Sequence, residues 1–244
     1  MAEHKYQAVA RAIRGELGAP GSTLPSEADL LERFDVSRST VRQALDLLEQ
    51  EGLISSSQGN LRTVRDSRRW LWEMSTWEQR HRSEADAWAV TIQQQGGTPV
   101  SDVRVEFVKA SREVAAALEL NIGETVLARL RVRSVNGEPH QLSDSYFPPR
   151  VTKDNPIMIQ PDDQSAPGGL LAASGFRQVR FHDSLTSRPP NQEEARILRM
   201  PPGTPLLVHA RVGYDDEGRA LRFMITRMAA DRVEITYDIE AVTP

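Results

Sequence analysis

Between Val36 and Leu45 the chain reads VSRSTVRQAL: two arginines, three hydroxyls, one amide and no acid. A guanidinium offers a planar fork of donors that fits a phosphate or the O6/N7 edge of guanine, and hydroxyls and amides hydrogen-bond to either. Arg38, Ser39, Thr40 and Arg42 are therefore candidates for contact with a nucleic acid. A second constellation lies in LARLRVRSV, where Arg131 and Arg133 are two residues apart and share one face of a strand. Two guanidiniums on one face attract a carboxylate or phosphate; the competing reading is an exposed basic sheet face. Ser143, Tyr146, Thr186 and Arg222 are further polar candidates for the same ligand. Catalytic signatures are missing. The five histidines (His4, His81, His140, His182, His209) show no metal-ligand spacing, and there is no cysteine, Walker loop, dinucleotide-type glycine pattern or nucleophile elbow. Asp162-Asp163 and Asp215-Asp216 read as turn residues. The sequence thus calls for no metal and no cofactor, and it reads as a binding protein rather than an enzyme.

The elements that must position these residues are legible. Tyr6, Val9, Ala10, Ile13 and Leu17 recur at helical spacing, and Gly18, Pro20 and Gly21 stop that helix. Ser26, three residues before Asp29, predicts a capped start for a short second helix. Ser37 predicts the cap of a third, running from Arg38 to about Glu51. In it Val41, Ala44, Leu45 and Leu48 form one apolar stripe, leaving Arg38, Ser39, Arg42 and Gln43 off the stripe. Leu53-Ile54 and Leu61 to Val64 bracket SSSQGN as a two-stranded wing. Then come a basic stretch (Arg62, Arg65, Arg68, Arg69) and four tryptophans within nineteen residues, Trp70, Trp72, Trp77 and Trp88, whose expected use is core packing. From about Ser83 strands alternate with short helices, with Asn136-Gly137 as a hairpin turn. A shift of 80 residues superposes two copies of helix, loop, strand, turn, strand: Ala115 on Ala195, Leu118 on Leu198, Gly123 on Gly203, Leu127 on Leu207, Arg131 on Arg211. Such a duplication predicts a pseudo-symmetric α+β domain on a mostly antiparallel sheet, with a small-molecule pocket at the seam.

Composition sets the frame. The 244 residues carry 30 Lys+Arg and 34 Asp+Glu, a net charge of −4, with 39% hydrophobic residues. Residues 1–69 hold ten bases and ten acids. Bulk electrostatics therefore cannot drive nucleic-acid binding, and the placement of a few arginines must. No apolar run approaches the ~18 residues of a membrane span, and MAEHKYQAVARAIRGEL lacks a signal-peptide core. With the absence of cysteine, this predicts a cytoplasmic protein.

LPSEADLLERFDVSRSTVRQALDLLEQEGLI resembles the DNA-binding domain of GntR-family transcription regulators. LARLRVRSVNGEP, DSYFP, LRMPPGTPLL, DDEGRAL and AADR resemble the UTRA effector-binding domain of the HutC-like subfamily, which shares its fold with chorismate lyase. The resemblance implies an α+β chain. Residues 1–66 would form a winged helix-turn-helix, 67–82 a linker, and 83–244 a chorismate-lyase-like effector-binding and dimerisation domain. It implies a homodimeric repressor on a near-palindromic operator in double-stranded DNA, released by a small-molecule effector. Ser26, Arg38, Ser39, Thr40 and Arg42 would contact DNA, with Gln58 and Gly59 at the wing tip, and Arg131 and Arg133 would face an anionic part of the effector. Three departures stand out. Leu61 occupies a wing position that is glycine in the family. Ser143, followed by Asp144, and Arg222 stand where sugar-phosphate-responsive relatives carry glutamates, so an amino-sugar phosphate is not carried over. Two alternatives stay open: a chorismate-lyase-like enzyme domain with an auxiliary DNA-binding module, and a DNA-binding repressor that needs no effector.

Overall fold

In a computed structural model the described residues are 4–56, 62–65, 68–74, 86–160 and 169–238. They divide into two compact units, Met1–Arg69 with Pro189–Thr204, and Trp70–Arg188 with Pro205–Pro244. In the first unit, helices α1 (Lys5–Gly15), α2 (Glu27–Phe34) and α3 (Arg38–Gln50) precede two short antiparallel strands, β1 (Ile54–Ser56) and β2 (Arg62–Val64). The serine caps explain the helix starts. Ser26 Oγ accepts from the Asp29 amide at 3.2 Å, and Asp29 Oδ2 accepts from the Ser26 amide at 3.0 Å, a reciprocal capping box. Ser37 Oγ accepts from the Thr40 amide at 3.3 Å. The predicted stripe of α3 (Val41, Ala44, Leu45, Leu48) is buried against Val9, Ala10 and Ile13 of α1, Leu30 of α2 and Ile54 of β1. Burying four such side chains fixes the rotation of α3 about its axis and turns Arg38, Ser39, Arg42 and Gln43 outward, all exposed.

The second unit is built on a six-stranded sheet. Its strands are β4 (Pro99–Lys109), β5 (Thr125–Val135), β6 (Glu138–Phe147), β7 (Arg180–Arg188), β8 (Leu206–Tyr214) and β9 (Ala220–Ala229), in the order β4-β5-β6-β9-β8-β7. Every neighbouring pair is antiparallel. The order is the sequence duplication in three dimensions: β4-β5-β6 and β7-β8-β9 are the two copies, joined along β6 and β9. Asn136 and Gly137, both at positive φ (54° and 81°), close the β5–β6 hairpin, where twisted strands favour a turn of this hand. Helix α5 (Arg112–Leu118), capped by Ser111, packs on one face with Val126, Val212, Phe223 and Tyr146. Its sequence counterpart in the second copy, α8 (Gln192–Ile197), is capped by Asn191 and falls within the segment grouped with the first unit.

The other face carries two apolar clusters at its ends. At one end α4 (Ala87–Gln94) and a separate parallel pair, β3 (Trp70–Glu73) with β10 (Val233–Thr236), bring Trp70, Trp72 and Trp88 onto Val135 and Met228. The expected packing use of the tryptophans holds for these three; Trp77 lies outside the described residues. At the other end Val151 of α6 (Pro149–Thr152), Met158 of a 3₁₀ turn (Pro156–Ile159) and Leu171 of α7 (Gly169–Ala173) pack on Leu127 and Phe147.

Candidate functional site

On the first unit, the site residues gather at the start of α3. Arg38 and Ser39 are exposed and Thr40 is half-buried. Ser37 Oγ lies 2.9 Å from both Ser39 Oγ and Thr40 Oγ1, so these hydroxyls are pre-oriented around the helix N-terminus, where free amides and the helix dipole favour an anion. Arg42, 58% exposed, donates through Nε to Glu27 Oε2 at 3.2 Å, and Arg62 Nη1 of β2 donates to Glu27 Oε1 at 3.0 Å. Hydrogen bonding from Arg62, then from Arg42, holds the Glu27 carboxyl below its usual range despite some burial. One acid at the start of α2 thus aligns two arginines from α3 and the wing, a network the sequence pattern missed. Ser26 is exposed but engaged in its capping box, with its hydroxyl 2.7 Å from Asp29 Oδ2. Gln58, Gly59 and Leu61 lie outside the described residues.

On the second unit, strand register sorts the candidates by face. Arg129 pairs with Ser145 and Arg133 with Gln141. Ser143 pairs with Thr226 and Ser145 with Met224; across β9, Thr226 meets His209 and Met224 meets Arg211, which meets Asp183. By alternation Arg131 lies on this same face. Between the two apolar clusters the face is therefore polar, with Arg131 at 9% and Arg133 at 8% exposure. This departs from the alternative of an exposed basic sheet. Tyr146 and Thr186 do not join it. Tyr146 pairs with Ala128 and Phe223 and stacks on the Phe223 ring beneath α5, and Thr186, opposite Val208, is exposed on the edge strand. Both sit an odd number of residues from the polar row on their own strands, and an odd step lands on the other side of the sheet.

The floor is highly charged. Arg129, fully buried, donates to the carbonyls of Met158 and Gln160 at 3.0 and 2.6 Å. Arg133 pairs with Asp86 at 2.8 Å and lies over the Trp88 ring. Arg211 grips Asp183 with both Nε (2.6 Å) and Nη2 (2.7 Å), and His209 Nε2 lies 2.9 Å from the same carboxylate. Burial pushes the Asp183 carboxyl up, but the hydrogen bonds from Arg211 and His209 outweigh it and hold it well below the usual carboxylate range. Arg222 donates to Ser145 Oγ from Nε (3.0 Å) and Nη2 (2.7 Å). Burial first, then the repulsion of Arg131, Arg133 and Arg211, lowers its pKa to about 9. Ser143 Oγ and Thr226 Oγ1, 3.2 Å apart, add two buried hydroxyls. Arg129, Asp183 and Arg211 were not singled out as site residues, although Arg211 is the repeat partner of Arg131. Among the described residues, Arg129, Arg131, Arg133, Arg211 and Arg222 share this face with the carboxylates of Asp86 and Asp183.

The family model described as "UTRA domain" matches residues 94–234, more than half of the chain, and the one described as "Bacterial regulatory proteins, gntR family" matches residues 1–61. The chain belongs to the GntR family and carries a UTRA domain. It is thus a DNA-binding transcription regulator, with an N-terminal helix-turn-helix and a C-terminal UTRA domain on a mostly antiparallel sheet. Its similarity extends along nearly all of its length. It is 28% identical over 235 residues to an uncharacterized HTH-type transcriptional regulator of Streptomyces coelicolor (93% of this chain, 87% of the relative). It is 27% identical over 239 residues to the probable transcriptional regulator PhnF of Escherichia coli (96% and 95%). In fold it resembles the crystal structure of PhnF from Mycobacterium smegmatis, at a TM-score of 0.61 and 21% identity, with 98% of this chain and 100% of that one covered. No helix among the described residues is long and apolar enough to cross a membrane.

Proposed function

We propose that this GntR-family chain is a cytoplasmic homodimeric repressor whose grip on a near-palindromic operator is released by a small anionic effector, bound without being turned over. The division of labour proposed is residues 1–66 for DNA, 67–82 as linker and 83–244 for effector and dimerisation, except that Trp70–Glu73 of the expected linker pairs with β10 and belongs with the second unit. In this reading the first turn of α3 enters the major groove of each half-site, with Arg38 and Arg42 on base edges or phosphates and Ser26, Ser39, Thr40, Gln58 and Gly59 on the backbone. The effector lies on the polar floor, where Arg131 and Arg133 face its anionic part and Ser143 its hydroxyls.

The observation that carries the effector reading is the buried polar band itself: guanidiniums, hydroxyls and an imidazole set between two apolar clusters on one sheet face. Guanidinium and hydroxyl donors converging between apolar walls are the kind of surface on which a small polar or anionic molecule is oriented and held. The test is a mobility shift on DNA from upstream of the protein's own gene. Arg42→Ala is expected to weaken specific binding by about 1–3 kcal/mol if it reads a base, or mainly to lower the salt dependence if it holds a phosphate. Unchanged affinity removes Arg42 from the interface. Metabolite extracts that leave both DNA affinity and thermal stability unchanged would favour a repressor that needs no effector.

A further inference from the structure

Arg222 differs from its neighbours in the company it keeps. Arg133 and Arg211 each meet a carboxylate. The recorded partners of Arg222 are neutral: the Ser145 hydroxyl and, at 3.2 Å from Nη2, the thioether of Met224. A half-buried guanidinium held by neutral groups, with three further guanidiniums repelling it, is an expensive arrangement for a folded chain. Its position is nevertheless well defined. The head lies over the Ser145–Met224–Arg211 row, next to the row of Ser143, Thr226 and His209. Arg131 stands level with the latter row by alternation, so the two sites are about 7 Å apart along the strands, two residues at ~3.4 Å each. Opposite Arg222, Gly213 leaves room that a Cβ would take from the Gln178 side chain, so the Gln178 amide lies against the sheet at this end of the floor.

We propose that Arg222 is a second anion site of the effector pocket, so that the effector carries two anionic groups, one at Arg131 and one, a carboxylate or phosphate, in the fork of Arg222. The inference rests on the reading that an anionic effector binds this floor. It names a ligand class, a short organic dianion, and makes Arg222 the residue that distinguishes it from monoanions and neutral sugars.

Calorimetry on the full chain at constant ionic strength tests this, with butyrate, glutarate and 3-phosphonopropionate as probes. Glutarate and 3-phosphonopropionate are expected to bind at least about tenfold tighter than butyrate, the equivalent of ~1.4 kcal/mol. Arg222→Gln should erase that advantage, weakening the two dianions at least about tenfold more than butyrate, Arg222→Lys should restore part of it, and Arg131→Gln should weaken all three probes. The preferred dianion tells a carboxylate from a phosphate at the second position. An Arg222→Gln protein that folds, by circular dichroism, and keeps the dianion preference overturns the proposal. Equal binding of mono- and dianions that still depends on Arg131 overturns the second site alone. If no probe binds, the anionic-effector reading falls with it.

Discussion

Replacing Asp183 by Asn is the sharpest test of how the floor is held together. The carboxylate accepts three hydrogen bonds, two from Arg211 and one from His209, at 2.6–2.9 Å. Arg211 is nearly buried and His209 wholly so, whereas Asp183, on the edge strand, keeps 22% of its side chain exposed. Asparagine preserves shape but removes the charge and turns one acceptor into a donor facing a guanidinium. A hydrogen bond to a charged group contributes ~1.5–3 kcal/mol, and stranding a buried cation costs ~3–5 kcal/mol. Solvent at the edge strand screens part of this, which leaves about 2–4 kcal/mol. For a chain of this size that is a fall in Tm of roughly 5–12 °C. Urea denaturation at pH 7 measures it. The pH profile supplies a second readout. The folded state holds the Asp183 carboxyl below its usual range, so below pH ~4 the unfolded chain takes up its proton first. The gap between wild type and Asp183→Asn should be full at neutral pH and should close only in acid, as pH falls through the folded value. A loss below about 0.5 kcal/mol, the size of an ordinary surface substitution, would refute the account, as would a double-mutant cycle with Arg211→Met that shows no coupling.

Other expectations follow from the same geometry. Glu27→Gln should cost about 1 kcal/mol, since both its ion pairs are partly exposed; mobility shifts should show altered discrimination between operator and random DNA, because Arg42 loses its anchor. His140 is buried near Trp88, and burial lowers its pKa to about 4. The unfolded chain therefore binds that proton first, and stability should fall by roughly 3 kcal/mol as pH drops from about 6.5 to 4, a slope that His140→Gln should flatten in pH-dependent denaturation.

Local signals in the sequence were strong where side chains act on their own backbone or repeat at a helix period. Ser26, Ser37, Ser111 and Asn191 each cap a helix. The stripe of α3 is buried residue for residue, and the 80-residue duplication became the sheet order. What escaped depended on non-local register. Naming Tyr146 and Thr186 alongside Arg131 picked neighbouring strands but not a common face, and face is decided by a single residue of register. β7, RFHDSLTSR, is an edge strand with little apolar alternation, so nothing local marked Asp183 as the partner of Arg211. β3 looked like linker because its partner β10 lies some 160 residues further along, beyond any window in which periodicity can be read.

That parallel pair bears on where the effector domain can be cut. A fragment beginning at residue 83, where the change of sequence pattern suggests a border, would lose β3 and leave β10 as a bare edge. It would lose Trp70, Trp72 and Met74 from the cluster that closes one end of the floor. It would also strip His209 of the Trp72 ring, 5.2 Å away and perpendicular to it, and so disturb the imidazole that helps fix Asp183. A fragment that is to keep this end of the floor closed should therefore begin no later than Trp70 and extend through β10.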